Sequence, residues 1–196
     1  MTGAPKSLCD PDTALMVAFQ QGEEAAFEQI LDKYHKAIVN FIYKIVNNRA
    51  EAEELAQDVF LRVYRARHRY EPRARFSAWL YRIATNVGLK AAGRKRRSPF
   101  GFGPDAITGK EEGRAREPNA EQKLVESELG KVVRQIIRGL PRNEKIAIIL
   151  RRYEGLSYKE IAEVMNCTEP AVKTYIHRGK LRLRDRIRPY LKGGKA

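Results

Sequence analysis

Apolar residues recur at spacings of three and four along most of the chain, and no segment keeps the period of two that a half-buried strand requires. The pattern predicts an all-α protein. Leu15, Met16 and Phe19 mark a short helix from Asp12 to about Phe19, interrupted at Gly22. Ala26, Phe27, Ile30, Leu31, Tyr34, Ile38, Phe41, Ile42 and Ile45 mark a long one from Glu24 to Val46, stopped by Asn47 and Asn48. Leu55, Val59 and Val63, widened by Phe60 and Tyr64, give a third from Glu51 to about Ala66. Glu51, Glu53 and Glu54 crowd its first turn and Arg62 and Arg65 its end, a polarity that suits the helix dipole. The loop HRYEPRAR, with Pro72 inside it, precedes a fourth helix from Phe76 to about Ala92, whose apolar face is Trp79, Leu80, Ile83, Ala84 and Val87.

The period lapses in the Gly- and Pro-containing, highly charged stretch GRKRRSPFGFGPDAITGKEEGRAREP, which reads as a flexible linker. Phe100 and Phe102 within it are candidates to dock on a partner. Helical spacing returns from about Asn119 to Arg138, and Gly139 breaks it. Pro141 fits the first turn of a helix using Ile146, Ile149 and Leu150, ending near Glu154-Gly155. Ser157 caps the next, with Glu160 completing a capping box, and Ile161, Ala162 and Met165 form its apolar side. Asn166-Cys167-Thr168 is a turn in which Asn166 is best suited to a left-handed backbone angle. Thr168 caps the last helix, which tolerates Pro170 near its start and carries Val172, Ile176, Leu181 and Leu183. Two small helical domains, 1–93 and 119–196, joined by a flexible linker at 94–118, are expected.

Charge changes the picture. The 196 residues carry a formal net charge of +14, and it is uneven. Residues 1–93 hold 13 Lys/Arg against 11 Asp/Glu, whereas residues 94–196 hold 25 against 13. The second half is suited to phosphates, the first is not dominated by them. Cys9, Cys167 and three His form no metal-ligand spacing, so neither metal nor cofactor is implied. No apolar run has transmembrane length, and the opening MTGAPKSLCDPD lacks the apolar core of a signal peptide, so a cytoplasmic protein is expected.

Two segments carry candidate chemistry. Ser157–Leu183 fits a helix-turn-helix, with Thr168, Lys173, Thr174, His177, Arg178, Lys180 and Arg182 placed to reach phosphates and base edges in a major groove. Plain helical packing is the competing reading, and Arg178 can equally pair with Asp185 or Glu169. The basic exit RGKLRLRDRIR favours DNA. The second segment interleaves aromatics with arginines: Tyr64, Tyr70, Phe76, Trp79 and Tyr81 fall within 18 residues, flanked by Arg69, Arg73, Arg75 and Arg82. Unpaired bases need such a π-face and such cations, although Trp79, Leu80 and Ile83 also sit at core spacing. No nucleotide loop, zinc-protease motif or catalytic triad is present, so an enzyme is not expected.

Three blocks, taken together and in this order, resemble a known family. They are GEEAAFEQILDKYHKAIVNFIYKIVNNRAEAEELAQDVFLRVYRA, RFSAWLYRIATNVGLKAAGRKRR and LPRNEKIAIILRRYEGLSYKEIAEVMNCTEPAVKTYIHRGKLRLR. The chain resembles the group IV, extracytoplasmic-function (ECF) sigma factors of bacterial RNA polymerase. The resemblance implies that residues 1–93 act as sigma region 2 and 119–196 as sigma region 4. It implies that Glu54, Gln57, Asp58, Leu61 and Arg62 dock on core polymerase. Arg69, Tyr70, Arg73, Arg75, Phe76, Trp79, Arg82 and Asn86 would take the unpaired −10 element, and the helix-turn-helix would read the −35 element as duplex. Core RNA polymerase, promoter DNA and an anti-sigma factor are the implied partners. A two-domain regulator and a sigma mimic that binds an anti-sigma factor are the rival readings. The first would need an α/β receiver pattern, and the second would lose Arg178, Lys180, Arg182 and Arg184.

Overall fold

A computed structural model describes residues 10–97 and 128–192. Eight α-helices and one short 3₁₀ turn account for nearly all of them, and no strand occurs among the described residues. In chain order they are α1 (Pro11–Gln20), α2 (Glu24–Val46), α3 (Arg49–Ala66), α4 (Phe76–Arg97), α5 (Glu128–Arg138), α6 (Arg142–Arg152), α7 (Tyr158–Met165) and α8 (Glu169–Lys192), with the 3₁₀ turn at Arg67–Arg69. The first four form one cluster and the last four a second.

Two adjacent asparagines make the corner between α2 and α3. Asn47 adopts the left-handed conformation at φ 59° and ends α2. The Asn48 side chain then accepts a hydrogen bond from the Glu51 amide and starts α3. Both uses exploit a short polar side chain that tolerates αL and replaces a missing helical partner. The expected start of α3 at Glu51 therefore moves back to Arg49. The α4 helix runs past the expected stop at Ala92 to Arg97: Gly93 does not break it, and the following RKRR consists of good helix formers whose charge suits a C-terminus. Pro141 stands just outside α6 rather than in its first turn, because its ψ of 144° is extended. The capping box at Ser157 and Glu160 forms as expected. The expected helical stretch 119–127 and the aromatic pair Phe100 and Phe102 lie outside the described residues.

Phe19, Ile30, Ile38, Phe41, Ile42, Val59, Val63, Phe76 and Leu80 fill the centre of the first cluster, all fully buried. Two acidic residues ahead of and within α1 tie it down. Asp12 accepts from the Tyr34 hydroxyl at 2.6 Å and pairs with Lys33. Asp10 accepts from the Phe76 amide at 3.2 Å, so it serves as a cap for α4 supplied from 66 residues away. In the second cluster Ile146, Ile149, Leu150, Ile161, Val172 and Ile176 are buried. Val164 is buried where Met165 was the expected core residue, because α7 is covered from two sides, by α4 and by α8. Gly179 lets α8 close on α6: a Cβ there would lie 2.4 Å from Ile148 Cδ1 and 3.4 Å from Glu144 Cβ.

Candidate nucleic-acid interface

The helix-turn-helix comprises α7, the turn at Asn166–Thr168 and α8. Asn166 carries the positive φ, 50°, as its side chain allows. Thr168 Oγ1 accepts from the Ala171 amide at 3.4 Å, which orients the first turn of α8. Val172 and Ile176 anchor one face of α8, at 0% and 3% exposure. The opposite face then presents Lys173, Thr174, His177, Arg178 and Lys180, all exposed. Arg182 is different: its Nε lies 3.0 Å from Oε2 of the buried Glu144, so its charge is shared with α6. Asp185 is engaged by Arg184 at 3.0 Å.

The aromatic and basic segment divides in two. Tyr70 and Phe76 are 4% and 0% exposed, so as placed they offer no ring face to a base, contrary to the expectation of direct contact. The cause is packing. Phe76 stacks edge-on against Tyr34 at 5.7 Å, and Tyr70 meets Trp79 at 5.0 Å, so these rings hold the loop onto the helices. Trp79 is half-buried and rests on that platform, while Arg69, Arg73, Arg75, Arg82 and Asn86 are exposed. Arg73 pairs with Glu71 and Arg75 lies 3.4 Å from Glu160 on α7. Burial raises the Glu160 carboxyl pKa, but the hydrogen bonds from Ser157 and the Arg75 charge outweigh it and leave the pKa below the usual range. Trp79, Arg69, Arg73 and Arg82 line a gap of about 830 Å³ whose far wall belongs to α7 and the turn.

On α3, Glu54, Gln57, Leu61 and Arg62 are exposed, and Leu61 is a large apolar side chain at 53%. Asp58 and Arg62 form a two-bond ion pair along the same face at 3.1 and 2.9 Å. The three candidate surfaces are thus distinct, and the −10 and −35 candidates lie on elements that touch, α4 and α7–α8. Sequence reasoning missed Glu144 and Gly179, which fix α8 on α6. A lone Gly in a helical run was the available signal for the second. Among the described residues no group of three His, Cys, Asp or Glu is placed to hold a metal, and no helix is long and apolar enough to cross a membrane.

Two helical clusters, one ending in an exposed basic helix-turn-helix, define an all-α DNA-binding architecture. The Sigma-70 region 2 family matches residues 30–98 and the Sigma-70 region 4 family matches 131–183. The RNA polymerase sigma-H factor of Pseudomonas aeruginosa is 31% identical over 93% of this chain and 97% of its own length. The ECF RNA polymerase sigma factor SigW of Bacillus subtilis is 33% identical over 86% and 92%. Among solved structures, CnrH in complex with the cytosolic domain of CnrY superposes with a TM-score of 0.67 at 21% identity, over 90% of this chain and 96% of that one, a likeness of fold. The chain belongs to the sigma-70 family of RNA polymerase sigma factors, in its ECF group. Members of that family direct polymerase to promoters and form no phosphodiester bond themselves.

Proposed function

We propose that this chain binds core RNA polymerase through the exposed face of α3 and reads promoters with two separate surfaces. Residues 1–93 act as the core-docking and −10 unit, 119–196 as the −35 unit, and 94–118 as their connection. Leu61 supplies apolar area on the docking face, and Glu54, Gln57, Asp58 and Arg62 surround it with polar groups, the composition of an interface centre and rim. Lys173, Thr174, His177, Arg178 and Lys180 enter the major groove of the −35 duplex. Trp79 stacks an unpaired base of the −10 element while Arg69, Arg73 and Arg82 neutralise the strand's phosphates. Tyr70 and Phe76 act from beneath, as the support that holds Trp79. Melting is favoured because bases captured unpaired cannot re-pair.

The observation that carries this reading is the exposed row of five polar and basic side chains on α8, held outward by Val172 and Ile176, in a chain of this family. An anti-sigma factor is a further proposed partner. RpoE of Bartonella quintana, of similar fold at a TM-score of 0.62, is solved in complex with the anti-sigma factor NepR. A cytoplasmic site of action follows from a polymerase-bound role. Transcription from a library of fork-junction promoters by core polymerase, with and without the protein, tests the proposal. Selective initiation that needs both a −35 duplex and an unpaired −10 strand is the expected result. Core binding without initiation would mark a mimic, and duplex binding without core binding an ordinary helix-turn-helix regulator.

A further inference from the structure

Two rows of side chains run together along α5. Val133 and Ile137, one helical turn apart, form an apolar row. Arg134 and Arg138, one position further on, form a cationic row beside it. Both rows line a cavity of about 450 Å³ at the seam between the two clusters. Tyr43 and Lys44 of α2 and Tyr153 at the end of α6 supply the remaining wall. Packing does not fill this space: Tyr153, a large ring, stays 46% exposed. Cavities of this volume, mostly apolar with a few convergent polar groups, are the usual form of a small-molecule site.

Charge selects the occupant. No Asp or Glu is among the described residues lining the cavity. Lys44 is matched by Glu154, 3.7 Å away, which also accepts from the Tyr81 hydroxyl. Arg134 and Arg138 have no carboxylate partner among the described residues, and Arg138 donates to the neutral Tyr43 hydroxyl at 3.4 Å. On its other side Arg138 borders a cavity of about 260 Å³ together with Arg142 and Lys145, again with no acidic residue among the described lining. Lys145 donates to another neutral acceptor, the Ile45 carbonyl, at 3.2 Å. Burial pulls Lys145 below its ordinary pKa, and the Arg138 charge adds to the effect.

This corner of the molecule is therefore short of negative charge. The 830 Å³ gap beside Trp79 is not: Arg69, Arg73, Arg82 and Lys159 there face Glu71, Glu163 and Glu169. Guanidinium groups match a carboxylate in plane and spacing, and two of them a turn apart can share one anionic head.

We infer that the 450 Å³ cavity binds a single-chain amphiphile with an anionic head, the chemistry of a free fatty acid. Its chain lies along Val133, Ile137 and the Tyr43 and Tyr153 rings, and its carboxylate sits on Arg134 and Arg138. A cationic head would be repelled by both guanidiniums, and a short carboxylate would leave the apolar row in water. None of these residues is among those assigned to DNA or to core polymerase, so the site stands independently of the sigma-factor reading.

Calorimetric titration of the full chain with dodecanoate, kept below its micelle concentration, tests the site. Dodecanoate should bind at a single site and raise the unfolding temperature. Dodecylamine has the same chain and the opposite charge, and butyrate has the same head and little chain. Each should bind weaker by about tenfold or more. Arg134→Glu together with Arg138→Glu should reverse the preference between dodecanoate and dodecylamine at unchanged helicity, which a variant that merely unfolds cannot do. Val133→Trp fills the cavity and should abolish dodecanoate binding with both guanidiniums still in place. Equal binding of dodecylamine, or a double variant that loses dodecanoate without the reversal, overturns the anionic-head site. Equal binding of butyrate overturns the chain site. Dodecanoate binding that survives either variant lies elsewhere on the chain and overturns the assignment, as does no binding at all.

Discussion

The outer face of α8 and the Trp79 face of α4 were both expected to meet DNA, and the fold treats them in opposite ways. On α8 the apolar and polar positions separate cleanly by helical period, so burying Val172 and Ile176 leaves the candidate contacts outward. On α4 and the preceding loop, aromatic side chains serve both roles, and burial claims Tyr70 and Phe76 while leaving Trp79 half out. An aromatic ring is at once the best core filler and the best stacking surface, whereas Lys173 and Arg178 have no competing use inside.

The sharpest test of that contrast is Phe76→Ala. Removing a fully buried ring costs about 3–5 kcal/mol of stability. Denaturant unfolding should show it directly. A stable Phe76→Ala protein with a selective defect on unpaired −10 strands would instead make the ring a surface contact. Next, Arg178→Ala should cost about 1–3 kcal/mol at one base pair of the −35 duplex. Binding titrations across a duplex library separate this from a phosphate role, where the loss spreads evenly over all sequences and the salt dependence becomes shallower.

Gly179→Ala forces a methyl group against Ile148 and the Glu144 stem, and overpacking of this kind costs about 1–3 kcal/mol. Thermal unfolding and −35 binding should fall together, because α8 is held at the wrong distance from α6. A smaller effect is expected at the turn: Asn166→Ala keeps a β-carbon in the left-handed region but removes the short polar side chain that makes asparagine tolerant of it, a loss of at most about 1–2 kcal/mol, and Asn166→Gly removes the steric cost altogether. Smallest is the stability effect of Leu61→Ala, within about 0.5 kcal/mol for an exposed residue. Its measurable consequence should be weaker binding to core polymerase, read by competition with the unsubstituted chain.

Acid should loosen the seam at Glu160. Its folded pKa is depressed, so its contribution is present above the unfolded value of about 4.3 and is lost as pH falls through the folded value. Arg75→Ala should shrink that acid-side loss, as followed by unfolding midpoints below neutral pH, because the Arg75 charge is one of the causes of the depression.

Local features were legible in the chain itself. The helical period, the Ser157–Glu160 capping box, the left-handed Asn166 and the outward row on α8 each depend on residues within a few positions of one another, so short-range spacing carries the information. What joins distant residues was not legible. Asp10 capping α4, Glu144 holding Arg182, Gly179 meeting Ile148 and Glu154 bridging Lys44 and Tyr81 all link elements far apart in the chain. No periodicity encodes such pairs. The tertiary structure alone decides which aromatic rings are core and which candidate surface lies open, because burial is a property of how elements pack and not of their order.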